Sequence, residues 1–363
     1  MSLAPGAAYA LIWAGFLAYL GVLARAPRLG QRIVWGLIVA LAVAFACLPP
    51  LLSHDVYSYV DYARLGVLHG IDPYLRGPAA APGDPAFAHV TWPHTTSAYG
   101  PLFTLATYPL AWLPVGVAVY VVKAASAAAV IAIAALVARL APARGIDPLR
   151  AAAFVALNPL VLVHVVGGPH NDAFAVLLAT LGIAGVLTVR EASAGASLVA
   201  AIAVKVSAGV AAPFALLGTA RRGRLLAGAL AALLLTVVVS GLAFGWHWLD
   251  ALGQAGENQG HTSHLSIPTT VARITGLDSN ATRAAGLALY AALVIYLLAW
   301  TYRGNDWLRA TAWATTGLLL ATAWLLPWYL LWPLPAAALS RDRALKLLVL
   351  ALTAYQLGAR IPL

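Results

Sequence analysis

Charge is scarce in this chain. Of 363 residues only 12 are Asp or Glu and 22 are Lys or Arg, so charged residues make up 9%. A soluble domain carries roughly a quarter, and so little charge cannot cover a water-facing surface. Cysteine is scarcer still. Cys47 is the only one, which excludes an intrachain disulfide and a cysteine metal cluster. The sequence has no Walker motif and no glycine-rich nucleotide cradle, so nucleotide-driven work is not expected. It also has no internal repeat and no low-complexity tail.

What fills the chain is hydrocarbon, with 62% of residues hydrophobic. The apolar runs recur from end to end. They are continuous and rich in Ala, Leu and Val, whereas the strands of a membrane barrel alternate polar and apolar. A lipid-facing backbone must satisfy its own hydrogen bonds, so the runs are read as helices. The expected fold class is an all-α polytopic membrane protein, one integral-membrane domain over 1–363 with no separate soluble domain. The net charge of +10 sits in short loops between the runs, as orienting charge does. No nucleic acid partner is therefore expected; the bilayer is the first partner. The stretch "AAYALIWAGFLAYLGVL" lacks a basic leader and is expected to be a retained helix.

The basic loops orient the chain. "RAPRLGQR", Arg25 to Arg32, lies between spans expected at Ala7–Ala24 and Ile33–Leu52. That puts the polar segment 53–98 outside the cytoplasm. Leu102–Leu113 is too short to cross and is expected in the interface. Further spans are expected at Val115–Leu140, Ala151–Val165, Ala173–Val189, Leu225–Phe244, Ala284–Tyr302, Ala310–Leu326 and Ala344–Leu357. A second outer polar segment covers 245–282. The total is about ten crossings or half-crossings. Ser197–Leu217 poses a conflict, because a single crossing would put one of its two basic flanks, Arg190 or Arg221–Arg224, outside. A re-entrant hairpin over 195–218 with Lys205 near its tip keeps both inside. A plain span with a snorkelling lysine is the alternative.

The remaining polar residues gather on the outer side. His54, Asp55, His69, His94, His170, Asn171, Asp172, His261 and His264 all fall on outer segments or their ends. A reaction there must use a substrate already energised and carried across by lipid. Asp55 stands where a span meets the interface. The residues after it form an amphipathic helix on which Tyr59 and Tyr62 share its face. Gly70 and Pro73 end it.

Taken in order, "SHDVYSYVDYARLGVLHGIDPY", "YGPLF", "GGPHND", "KVSAG" and "LPWYLLWPLP" resemble the bacterial polyprenol-phosphomannose-dependent α-mannosyltransferases. These are α-1,6-mannosyltransferases of lipoglycan synthesis, within the GT-C glycosyltransferases. The resemblance runs from Ser53 to Pro335. It implies a GT-C helix bundle whose long first outer loop carries interfacial helices. It also implies a bacterial plasma-membrane location with the active site on the extracytoplasmic side. The implied reaction moves mannose from a polyprenyl monophosphate donor to a hydroxyl of a glycan or glycolipid, with Asp55 matching the essential acid of the first outer loop.

The chemistry gives each residue type a task. An acceptor hydroxyl needs a positioned base, for which Asp55 stands first; the alternative for Asp55 is an interfacial helix cap. The phosphate leaving group needs positive charge, from Lys205, then Arg64 and Lys123. Lys123 lies about 10 Å into a span at 1.5 Å per residue; pairing inside the bundle is its alternative, and an ion pair with Asp61 is that of Arg64. His170, Asn171 and Asp172 are candidates for binding sugar or phosphate, and Asn171 or Asp172 equally for capping the next helix. Tyr59, Tyr99, Trp328 and Tyr329 are candidate substrate-binding aromatics, set against an interfacial aromatic belt. His261, His264 and Arg273 are candidate acceptor contacts. No cofactor is expected. No metal is expected either, since His261 and His264 at i, i+3 would need ligands from elsewhere. Two other functions are weighed against mannose transfer, the first of which the sequence barely separates from it. One is transfer of another polyprenyl-phosphate sugar, arabinose or glucose. The other is a non-enzymatic flippase, which would need ionisable groups in both halves of the membrane.

Overall fold

A computed structural model describes residues 5–258 and 260–360. Every regular element among them is helical. The chain is thus an all-α membrane protein, and its longest helices are those that the apolar runs mark. Helix α1 covers Pro5–Cys47, but Gly30 (φ 79°, ψ 167°) breaks it into two arms inside the basic stretch. The second arm stops at Cys47, short of the expected Leu52. Pro49 and Pro50 follow, and the residue before a proline is disfavoured in helix. Helix α2 (Asp55–Leu68) opens the polar segment, and Gly70 turns the chain at its end with φ 63°. Short 3-10 turns follow at Pro78–Ala80 and Phe87–His89. Leu102–Leu113 becomes α3 (Pro101–Thr107) and a 3-10 turn, Tyr108–Trp112.

Helix α4 runs Val115–Leu140. The next expected span is not straight. It divides into α5 (Pro148–Ala156) and a π-helical turn (Val161–Gly167), bent by 61°. Pro159 lacks an N–H and its ring clashes with a helical predecessor. Asn158 fills the gap, accepting from the Leu160 amide at 3.0 Å and donating to Thr353 at 3.0 Å. Helix α6 (Asp172–Leu187) and α7 (Glu191–Val204) follow. Lys205 is extended (φ −155°, ψ 121°), and after a 3-10 turn the chain resumes as α8, Ala211–Gly218.

Helix α9 (Arg222–Phe244) starts beside the start of α7. A Cβ at Gly195 would strike the Leu225 carbonyl, and one at Gly228 that of Ala192. The two ends of 191–218 therefore lie together, with Lys205 at the far end. The second polar segment holds α10 (Asp250–Asn258) and α11 (Ile267–Thr275). Then come α12 (Ser279–Tyr302), α13 (Trp307–Ala321), a 3-10 turn at Pro327–Leu331, α14 (Leu334–Leu339) and α15 (Arg343–Arg360). Helix α13 ends at Ala321, five residues before the expected Leu326.

Among the described residues four helices are long and apolar enough to cross a membrane, or five with the bent pair. The first of them holds both arms of α1, and several other expected spans are divided into helices shorter than the roughly 20 residues of a straight crossing. The main core joins α1, α4, α5, α6 and α13–α15. Its centre is built from alanines, such as Ala151–Ala153 and Ala336–Ala338, which let helices approach closely. A smaller core of Val56, Tyr59, Phe103, Val119 and Val204 seats the polar segment on the bundle.

Candidate active site

Six stretches of chain meet over one end of the bundle and line a cavity of about 1040 Å³. Asp55, Tyr99, His170, Asn171, Lys205, His261, Trp328 and Tyr329 line it. The candidates that the sequence scatters over 275 positions thus face one space.

Asp55 is the first residue of α2. Its amide donates to the Ser53 hydroxyl at 3.2 Å. His170 Nδ1 lies 3.4 Å from Asp55 Oδ2, and its ring is stacked on Trp328 with centroids 3.6 Å apart. Burial alone would raise the Asp55 pKa. The hydrogen bond and charge of His170, and the charge of Lys205, outweigh it and hold the carboxyl below its ordinary range. Asp55 is therefore an ionised carboxylate in the cavity wall.

Lys205 stands at the break after α7. Its ammonium donates to both carboxylate oxygens of Asp172, at 2.9 and 2.8 Å, and lies 4.9 Å from the centre of the Tyr329 ring. Asp172 is fully buried and also accepts from the indole of Trp332. It holds the lysine from behind and does not itself line the cavity. Asn171 and Asp172 do not cap α6 through their side chains. Asn171 Nδ2 donates to Val204 O at 3.5 Å, and its amide N–H donates to the Tyr59 hydroxyl at 3.2 Å. Tyr59 is buried behind Tyr99, with ring centroids 4.8 Å apart, and braces the wall.

The other candidates lie elsewhere. Arg64 donates to Asp84 at 2.8 and 3.0 Å and to Ala111 O at 3.0 Å, inside the loop core and off the cavity. Lys123 is fully buried and donates to the carbonyls of Val166 and Gly167. His264 and Arg273 are exposed and do not line the cavity. His261 does, with its ring 5.2 Å from Trp324 and 6.3 Å from Trp92. Tyr62, which shares the helix face of Asp55, lines the cavity too, and so do Trp92, Trp324, Trp332, Thr96 and Gln254, which the sequence does not single out. Tryptophans in a membrane chain carry no distinguishing mark, since an interfacial belt explains them equally well. Among the described residues no three His, Cys, Asp or Glu side chains come together as metal ligands.

The cavity thus sets an ionised acid beside a buttressed cation, with aromatic and aliphatic walls. Comparison with known proteins gives this geometry a family. Residues 3–221 match the family described as "Alpha-(1->6)-mannopyranosyltransferase, N-terminal domain". The chain belongs to the alpha-(1->6)-mannopyranosyltransferase family. The matched region contains Asp55, His170, Asp172 and Lys205. Alpha-(1->6)-mannopyranosyltransferase A of Mycobacterium tuberculosis is 31% identical over 369 residues, covering 90% of this chain and 70% of that protein. The corresponding enzyme of Corynebacterium glutamicum is 30% identical over 191 residues, covering 51% of this chain and 37% of that protein. Another alpha-(1->6)-mannopyranosyltransferase of M. tuberculosis is 28% identical over 382 residues, covering 80% and 62%. The family makes the chain a glycosyltransferase of the mannosyltransferase class.

Proposed function

We propose that this chain moves mannose from a polyprenyl monophosphate to a hydroxyl of a glycan or glycolipid, on the extracytoplasmic face of a bacterial plasma membrane, giving an α-1,6-mannoside. The observation that carries this reading is the pairing of Asp55 and Lys205 in one cavity wall.

The acceptor oxygen attacks the anomeric carbon. The bond from that carbon to the phosphate oxygen breaks, and its electrons stay with the phosphate. The acceptor proton passes to Asp55. A carboxylate this acidic is a weak base, but the hydroxyl becomes strongly acidic once its oxygen bonds to carbon, so a weak base placed there suffices. Lys205 faces the charge that grows on the leaving phosphate. One carboxylate facing the acceptor and one cation facing the donor suit direct displacement, so a β-linked donor gives an α product. A double displacement would need a carboxylate nucleophile, by analogy with retaining glycosidases. Asp172 is committed to Lys205 and Trp332. Leu252, Leu318, Leu326 and Trp324 offer the apolar wall that a prenyl chain requires.

The test is transfer from labelled polyprenyl-phosphomannose to a short α-mannoside, comparing wild type with Asp55→Asn. Loss of a general base costs about 100- to 10,000-fold in kcat. Equal transfer by both proteins would remove Asp55 as the base. No transfer by wild type, with transfer from the arabinose or glucose donor, would replace the sugar.

A further inference from the structure

Lys123 has no ion-pair partner among the described residues, although its side chain is fully buried. Its ammonium reaches from α4 to the carbonyl end of the π-helical turn, donating to Val166 O at 3.3 Å and to Gly167 O. Helix ends leave their last carbonyls unpaired and carry partial negative charge. In a buried setting those carbonyls need donors.

Gly167 O takes a second donor, the Leu51 amide, at 3.1 Å. Here the two segments that carry the proposed chemistry touch. One runs from Leu51 to Asp55, the other from Gly167 to His170. The contact leaves no space between the backbones. A Cβ at Gly168 would strike the Leu51 carbonyl, and one at Gly167 the Leu51 side chain. Just beyond the contact Leu52 adopts φ 57°, a conformation a leucine holds only when its surroundings fix it. Asp55 then meets His170 at 3.4 Å.

We propose that Lys123 is a positioning residue, whose ammonium fastens the end of the π-helical turn and, through Gly167, the segment that delivers Asp55 to His170. This rests on the reading of Asp55 as the base. The position of Lys123 off the cavity gives it no contact with the donor phosphate. Its effect falls on the geometry of the base, and so on kcat and not on donor affinity.

The full chain in lipid nanodiscs tests this with Lys123→Met, Lys123→Gln and Gly168→Ala, beside Asp55→Asn. Two readouts are taken: amide hydrogen exchange over 51–55 and 166–172, and kcat with donor KM. In Lys123→Met these amides should exchange about tenfold faster or more. Its kcat should fall by about 10- to 100-fold, as a misplacement of about 1 Å does, with donor KM within about twofold. Lys123→Gln keeps a donor and should recover part of both. Gly168→Ala, which wedges the segments apart with Lys123 intact, should show the same pattern, and Lys123→Gln decides the role of the ammonium if Lys123→Met does not fold. Unchanged exchange, or a raised donor KM at constant kcat, would overturn the proposal. Should Asp55→Asn prove fully active, the base reading fails, while exchange still reports whether Lys123 fastens the two segments.

Discussion

Asp55 and Asp61 stand six residues apart on one helix and are held in opposite states. Asp55 keeps its charge because His170 and Lys205 face it. Asp61 is 1% exposed, and neither carboxylate oxygen has a hydrogen-bond partner among the described residues. Burial, then the charge of Asp84, pushes its pKa up to about 7; His69 and Arg64 oppose this, but Arg64 is committed to Asp84. In the unfolded chain the carboxyl titrates near 3.8. Below that pH it is neutral in both states and costs nothing. As pH rises from about 4 to 7 the unfolded chain releases the proton and the folded one keeps it, so stability falls through this window. Thermal unfolding of wild type should therefore lose midpoint from pH 4 to 7 relative to Asp61→Asn. Parallel curves would show that Asp61 ionises freely. The same residues show what a sequence gives and withholds at this scale. The place of Asp55 on the cavity wall follows from its position where an apolar run ends, although a helix cap would explain a carboxylate there equally well. The pairing of Arg64 does not follow, since its partner Asp84 lies 20 residues on in a loop and the nearer Asp61, at i+3, is passed over.

Helix positions follow from apolar runs wherever nothing interrupts them, and α4 begins and ends where its run does. The breaks are harder to read, because they depend on prolines and on side chains from distant helices. Asn158–Pro159 bends a run that looks continuous, and Thr353 on α15 completes the hydrogen bonding that makes the bend tolerable. Lys205 is a break of another kind. Helix α7 packs mainly on α6 and α9, and α8 mainly on α12 and α13, so the halves on either side of the lysine differ in their main neighbours. The starts of α7 and α9 touch through Ala192 and Gly228, which brings Arg190 and Arg221 to the same end. We predict that 195–218 enters the membrane and returns, carrying Lys205 to the site. Cysteines at positions 190 and 221, in a Cys47→Ser background, should both react with an impermeant maleimide in inside-out vesicles and in neither case from the opposite face. Reaction from opposite faces would make the segment a plain crossing.

Across the whole molecule the charges separate into two ends. At one, Arg144 pairs with Asp306, Arg341 donates to Arg144 O at 2.7 Å, and Arg309 pairs with Asp342 at 2.7 Å, binding three basic loops together. At the other lies the cavity. Helix α4 separates the ends by about 39 Å, at 1.5 Å per residue, enough for a hydrocarbon core of about 30 Å. Between them α9 and α12 present exposed apolar side chains such as Leu242 and Leu289, the kind of surface a membrane protein turns to lipid. Positive loops stay in the cytoplasm, so the basic end is predicted inside and Asp55 outside. Chains truncated after Gly83 and fused to alkaline phosphatase should be active, and chains truncated after Gly304 and fused to a fluorescent protein should glow. The reverse pattern would carry consequences for the chemistry. Asp55 would then face the cytoplasm, where sugar nucleotides are at hand, and a lipid-borne donor would lose its reason. The expected pattern would place Asp55 away from the sugar nucleotides of the cytoplasm and so support the proposed lipid-borne donor.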